Sequence, residues 1–174
     1  MALIIPFGDN VPQISADAFI APNATIIGDV IIGANASVWY GVVIRGDTGQ
    51  IRVGARTSIQ DNTVLHVNSD HDTIIGDDVT VGHAAVLEGC TIGNGVLIGM
   101  NATVLDGATV GDGALIAAGS VVRESQKIPA KVVAAGVPAK VKGRILKELA
   151  ERIAIAPKKY QQYAQQHMAA LESS

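Results

Sequence analysis

Beginning at Ile14, an aliphatic residue recurs at every sixth position, through Ile20, Ile26, Ile32 and Val38 to Ile44. After three extra residues the ladder resumes at Val53, Ile59 and Leu65, and after four more at Ile75, Val81 and Leu87. A five-residue step then leads to Ile92, Ile98, Val104, Val110, Ile116 and Val122, so all eighteen rungs are Ile, Leu or Val. Such a period does not suit a helix, where successive rungs would stand about 240° apart around the axis. In extended chain an even period sends every rung to the same side. Turn formers lie between the rungs, as in Ile32-Gly-Ala-Asn-Ala-Ser and Val110-Gly-Asp-Gly-Ala-Leu. Short strands joined by tight corners at hexapeptide period predict an all-β solenoid, a parallel β-helix. With three hexapeptides to a coil, the ladder gives about six triangular coils around an aliphatic stack. The spacing leaves the hand of the coil open.

Composition agrees with a thin prism. Of 174 residues, 48% are hydrophobic but only 3% aromatic, and 19 are glycine. The mean hydropathy of +0.33 raises a membrane reading. The uncharged stretches from Val30 to Ile44 and from Gly89 to Leu105 fall short of the roughly 20 residues a spanning helix needs. No transmembrane segment is expected, and the N-terminus lacks the basic region of a signal peptide. A net charge of −3 gives no reason to expect a nucleic-acid or anionic-membrane partner. Cys90 is the only cysteine, which excludes an internal disulfide framework and suits a reducing, cytoplasmic location.

The ladder gives way near the C-terminus. From about Gly143 the apolar residues of Ile145-Leu-Lys-Glu-Leu-Ala-Glu-Arg-Ile-Ala-Ile take helical spacing. Pro157 suits the first turn of a second helical segment running to about Leu171. The expected organisation is a prism over residues 1–142 and a helical segment over 143–174 packed along it, with Ala135-Gly-Val-Pro-Ala-Lys as connector. His167 reads as an exposed residue of the last helix.

The two insertions fall near Arg45-Gly-Asp-Thr-Gly-Gln and His66-Val-Asn-Ser-Asp-His-Asp. Solenoid insertions sit at corners and often mark the working face. His66 follows rung Leu65 and Glu88 follows rung Leu87; without the four-residue insertion they are one coil apart. They are therefore expected to stack on one face about 4.8 Å apart. Arg45 follows rung Ile44 and joins the same outward column. His83, two places after Val81, belongs to a different face. A metal on His66 and Glu88 would therefore meet His83 only from a neighbouring prism, and a closed trimer would carry three such sites.

The strings Val38-Trp-Tyr-Gly-Val-Val-Ile-Arg-Gly-Asp, Ile59-Gln-Asp-Asn-Thr-Val-Leu-His and Val81-Gly-His-Ala-Ala-Val-Leu-Glu-Gly-Cys-Thr-Ile-Gly resemble the γ-class carbonic anhydrases. The resemblance implies a left-handed β-helix, a homotrimer and zinc at the subunit interfaces, with Fe2+ or Co2+ as other metals such a site takes. It implies His66 and His83 as ligands, His83 from the neighbour, and puts Glu88 where the family has its third histidine. His71, in the second insertion, is an alternative ligand. Arg45 and Asp47 match the family's pair that ties subunits together and shapes the site. Gln60 and Asp61 match its Gln-Asp string, Gln60 beside the metal's water. Tyr160 or Tyr163 corresponds to an aromatic from the C-terminal helix. Thr48 and Ser69 stand where the archetypal members carry acidic proton shuttles.

A carboxylate ligand lowers the positive charge on zinc and makes its water less acidic than at an all-imidazole site. The expected function is therefore a γ-carbonic anhydrase-like zinc protein acting on a small molecule, with CO2 hydration weak or absent. Hexapeptide acyltransferases share the coil repeat and the Pro-Ala-Lys ending; on that reading His66 or His83 is a general base acting on a coenzyme A thioester. A non-catalytic assembly protein is the third reading.

Overall fold

The structure, a computed structural model, describes residues 2–173. Its body is a parallel β-solenoid with three faces. The first face stacks Leu3–Ile5, the opening residues of Thr25–Ile32 and of Val43–Val53, then Val64–His66, Val86–Glu88, Thr103–Val104 and Val121–Val122. The second stacks Gln13–Ile14, the closing residues of the same two long strands, Thr73–Ile75, Thr91–Ile92, Thr109–Val110 and Lys127–Ile128. The third runs Phe19–Ile20, Ser37–Val38, Ser58–Ile59, Thr80–Val81, Leu97–Ile98, Leu115–Ile116 and Val132–Ala135. Strand Lys140–Arg144 then pairs antiparallel with the last of these and closes the stack.

Every rung lands on the face its spacing assigns. Ile26, Ile44, Leu65, Leu87 and Val104 are fully buried in one column. Ile14 and Ile20, at the open first coil, are only half-buried. Two places before most rungs lies a second inward position filled by smaller side chains, such as Ala24, Ala36, Ala85, Cys90, Ala102 and Ala114, all buried. Even spacing sends these inward too, and their small volume lets the corners close. The stack has about seven coils rather than six. Ile128 and Ala134 continue the six-residue step and are buried, and Leu3–Ile5 adds a strand before the first rung. The expected boundary at residues 142 and 143 falls inside the closing strand Lys140–Arg144. Val137–Pro138, in the expected connector, is a cis peptide within the turn that reverses the chain.

The C-terminal segment is one helix, α1, Lys147–Glu172, not two segments. Pro157 lies inside it rather than opening a second helix. Proline there removes one backbone hydrogen bond. Its ring instead joins Ile153 and Ala164 on the buried stripe facing the prism, and that burial offsets the lost bond. Almost all the aromatic residues gather at this seam. Trp39 packs against Phe19 at 5.1 Å between ring centroids and against Tyr160 at 5.9 Å. His167 stands nearly perpendicular to Trp39 at 5.1 Å, and Tyr40 Oη lies 2.9 Å from its Nδ1. The expectation that His167 is a free surface residue is therefore overturned: it fastens the helix. Trp39 Nε1 donates to the hydroxyls of Ser37 and Ser58, both at 3.0 Å.

Candidate functional site

The expected column forms. Arg45 pairs in register with His66, and His66 with Glu88, on consecutive strands of the first face. Each follows a buried rung, so each side chain points outward. Gly89 makes the sharp exit after Glu88: its φ of +57° suits glycine. A Cβ there would collide with the Asp106 carboxylate. That turn accounts for the five-residue step to Ile92 and fixes where Glu88 projects.

His66 is the centre of this column. Its Nδ1 is 3.2 Å from Glu88 Oε1, and its Nε2 is 3.4 Å from Asp47 Oδ1. Both Nε2 and Asp47 Oδ1 are buried without a hydrogen-bond partner. Asp47 is gripped on its other oxygen by the Arg45 guanidinium. Burial works to raise the Asp47 carboxyl, but Arg45 by hydrogen bond and charge, with backbone and His66 contacts, brings it below the ordinary carboxylate value. A neutral imidazole carries one N–H and one lone pair. With a carboxylate oxygen at each nitrogen, a neutral ring sets one contact lone pair against lone pair, which either a second ring proton or a bound metal cation relieves. Two donors on a tetrahedral zinc, at about 2.0–2.2 Å each, stand about 3.4 Å apart. The 3.2 Å between His66 Nδ1 and Glu88 Oε1 fits that spacing. The remaining nitrogen then faces Asp47, the carboxylate partner that metal-bound histidines usually have. The spacing and chemistry of His66 Nδ1 and Glu88 Oε1 thus fit a divalent cation.

His83 lies on the third face, as expected, and its Nδ1 is 2.9 Å from Asp61 Oδ2. Sequence reasoning singled out both residues but not their contact. The signal was present, because Asp61 and His83 each lie two places after rungs Ile59 and Val81, one coil apart. Asp61 faces Nδ1, and the His83 side chain is 47% exposed. No three His, Cys, Asp or Glu side chains of the single chain converge as a metal centre among the described residues.

Gln60 is buried beside Tyr160 of α1. Burial raises the Tyr160 phenol above its ordinary value, against the opposing hydrogen bond from Gln60. With His83, Met100 and Arg152 they line a cleft of about 640 Å3 between α1 and the third face. Tyr163 packs on Tyr160 at 5.8 Å, and it is Tyr160 that lines the cleft. His71 has its own partner, Asp106, at 3.1 Å from Nδ1, and Asn68 also donates to Asp106. Its backbone N–H is bound by Asn68 Oδ1, so the second insertion folds back on itself. Thr48 donates to the Val67 carbonyl at 2.9 Å, which ties the two insertions together. Ser69 is exposed. Cys90 points into the prism, where burial pushes its thiol up to about 12, far from nucleophilic use.

The bacterial transferase hexapeptide (six repeats) family matches residues 12–46 and 89–124, and the hexapeptide repeat of succinyl-transferase matches residues 72–105. A Methanocaldococcus jannaschii protein named "Probable carbonic anhydrase" is 50% identical over 139 residues, which cover 80% of this chain and 85% of that protein. Gamma carbonic anhydrase 1, mitochondrial, of Arabidopsis thaliana is 44% identical over 167 residues, 92% of this chain. This chain spans 61% of that plant protein's length. Among solved structures, a hexapeptide transferase family protein from Anaplasma phagocytophilum superposes with a TM-score of 0.91 at 40% identity, over 94% of this chain and 96% of that one. On sequence, repeat and fold together, the chain belongs to the γ-carbonic anhydrase-like family of hexapeptide-repeat proteins.

Proposed function

We propose that this chain is a γ-carbonic anhydrase-like metal protein whose site is completed only between subunits of a homotrimer. The observation that carries the reading is His66 flanked by Glu88 and Asp47, a half-buried imidazole with a carboxylate at each nitrogen. His66 and Glu88 would hold zinc from one chain and His83 from its neighbour; Fe2+ and Co2+ suit the same donors. When bound, zinc supplies the Lewis acidity that makes a water acidic enough to attack CO2 near neutral pH. Asp47, anchored by Arg45, holds the His66 ring in one orientation. Asp61, against Nδ1 of His83, would favour the tautomer that leaves Nε2 free for a metal. Gln60 and Tyr160 present a paired amide and phenol at the cleft, and that pair would orient a water or substrate oxygen. Glu88 brings a full negative charge where an imidazole would be neutral, so it weakens the acidifying effect of the metal. Thr48 and Ser69 carry no carboxylate to relay protons. Both departures support slow CO2 hydration, or none, and a cytoplasmic setting agrees with the free, buried cysteine.

The test is metal content and oligomer mass of protein purified without chelator. About one zinc per chain is expected in a trimer, falling to near zero in His66→Ala and in His83→Ala. Glu88→His should retain zinc and raise CO2 hydration by at least about tenfold, as the water becomes more acidic. Full zinc occupancy in His83→Ala would refute the intersubunit ligand. A metal-free parent that binds coenzyme A would replace this reading with acyl transfer, and one with neither ligand would leave an assembly protein.

A further inference from the structure

Charge is unevenly spread along the prism. Residues 1–44 hold Asp9, Asp17 and Asp29 and no Lys or Arg. Residues 123–147 hold seven of the chain's 13 Lys and Arg against one acid, Glu124, which makes +6 in a chain whose total is −3. The fold gathers these seven cations at one end. Arg123 follows the last strand of the first face, and Lys127 opens the last strand of the second. Lys131 precedes the last parallel strand of the third face, and Lys140, Lys142 and Arg144 belong to the antiparallel strand that closes the stack. Lys147 begins α1. All seven are exposed, and none makes an ion pair among the described residues.

Large apolar side chains stand among them. Val137 is 73% exposed, Val141 50% and Leu146 76%. Lysines on an edge strand deter stacking of one sheet on another. That role accounts for Lys140 and Lys142 but not for exposed valine and leucine beside them. We infer that this end of the prism docks on an anionic lipid bilayer. The cations engage headgroup phosphates, and the three apolar side chains enter the interfacial layer. The attachment is peripheral, since no described helix is long and apolar enough to cross a membrane. The opposite end also exposes apolar residues, Leu3, Ile4, Ile5 and Phe7, but its stretch of chain, residues 1–44, holds Asp9 and neither Lys nor Arg. It carries the apolar half of the chemistry without the charge and serves as the control. The whole-chain charge averages over both ends and hides the difference. Neither the metal nor the trimer enters this inference.

Co-sedimentation of the intact protein with vesicles tests it. Binding is expected to phosphatidylcholine mixed with phosphatidylglycerol, not to phosphatidylcholine alone, and it should weaken as salt is raised. The triple variant Lys140→Glu, Lys142→Glu, Arg144→Glu should bind the mixed vesicles at least about tenfold more weakly. Val141→Ser with Leu146→Ser should weaken binding while keeping its salt dependence, and Ile4→Ser should leave it unchanged. If the triple variant fails to fold by circular dichroism, Lys140→Gln with Lys142→Gln reads the same effect. No binding to mixed vesicles, equal binding to both kinds, or a charge variant that binds like the parent would overturn the inference. So would release from vesicles by low concentrations of coenzyme A, which would assign the cations to a soluble phosphate ester.

Discussion

Asp47 sits between the Arg45 guanidinium and the His66 ring, and its ionisation follows from that position. Its carboxyl is held below the ordinary value, so it adds stability above the unfolded carboxylate range near ~3.9. That contribution is lost as pH falls through the lower folded value. Arg45→Ala removes the main stabiliser of the charged form, so the Asp47 carboxyl should titrate at higher pH. NMR of the side-chain carboxyl carbon reads that shift directly; an unmoved titration would mean that Arg45 does not set it. Because Arg45 is 45% exposed, the stability cost should stay below ~1 kcal/mol. The column of Arg45, His66 and Glu88 was legible because the step between rungs fixes both face and coil. Asp47's return to His66 was not, since it depends on the path of an insertion that belongs to no period.

The helix is where local sequence rules were least informative. Spacing of apolar residues located it, but Pro157 marked a break that burial against the prism overrides. His167 gave no sign of its contacts, because its partners Phe19, Trp39 and Tyr40 lie far away in sequence, beside the second and fifth rungs of the ladder. The coil count came out close, about seven against about six, and the difference lies at the two ends. Ile128 and Ala134 carry the six-residue step one coil further, where alanine is too small to announce a rung, and Leu3–Ile5 adds a strand that lies outside the ladder's spacing. The seam predicts a graded pair of effects. Trp39→Ala should cost about 3–5 kcal/mol and make α1 susceptible to protease, because it empties the centre of the aromatic cluster. Tyr40→Phe loses only the hydrogen bond to His167 and should cost about 0.5–1.5 kcal/mol. Denaturation midpoints with limited proteolysis distinguish the two, and equal costs would place the seam's strength in the hydrogen bond rather than the packing.

At the scale of the whole molecule, the prism and the helix draw on different materials. The prism is an aliphatic stack in which each coil touches only its neighbours, an arrangement whose stability is close to a sum over repeats. The helix is held by rings, and the shortage of aromatic residues in the chain is met by concentrating them at this one junction. The metal reading and the basic end also fall on different parts of the prism, the first on the middle coils and the second on the last. Membrane docking and metal loading should therefore be separable by substitution. The seam also gives the protein an optical reporter. Trp39 is the only tryptophan, it is 5% exposed, and it touches α1 through Tyr160 and His167. Its emission should therefore shift to the red when the helix lifts away, while the circular dichroism of the coils persists. Fluorescence and dichroism recorded on one unmodified sample would then report two separate melting events, and coincident curves would show that prism and helix unfold as a unit.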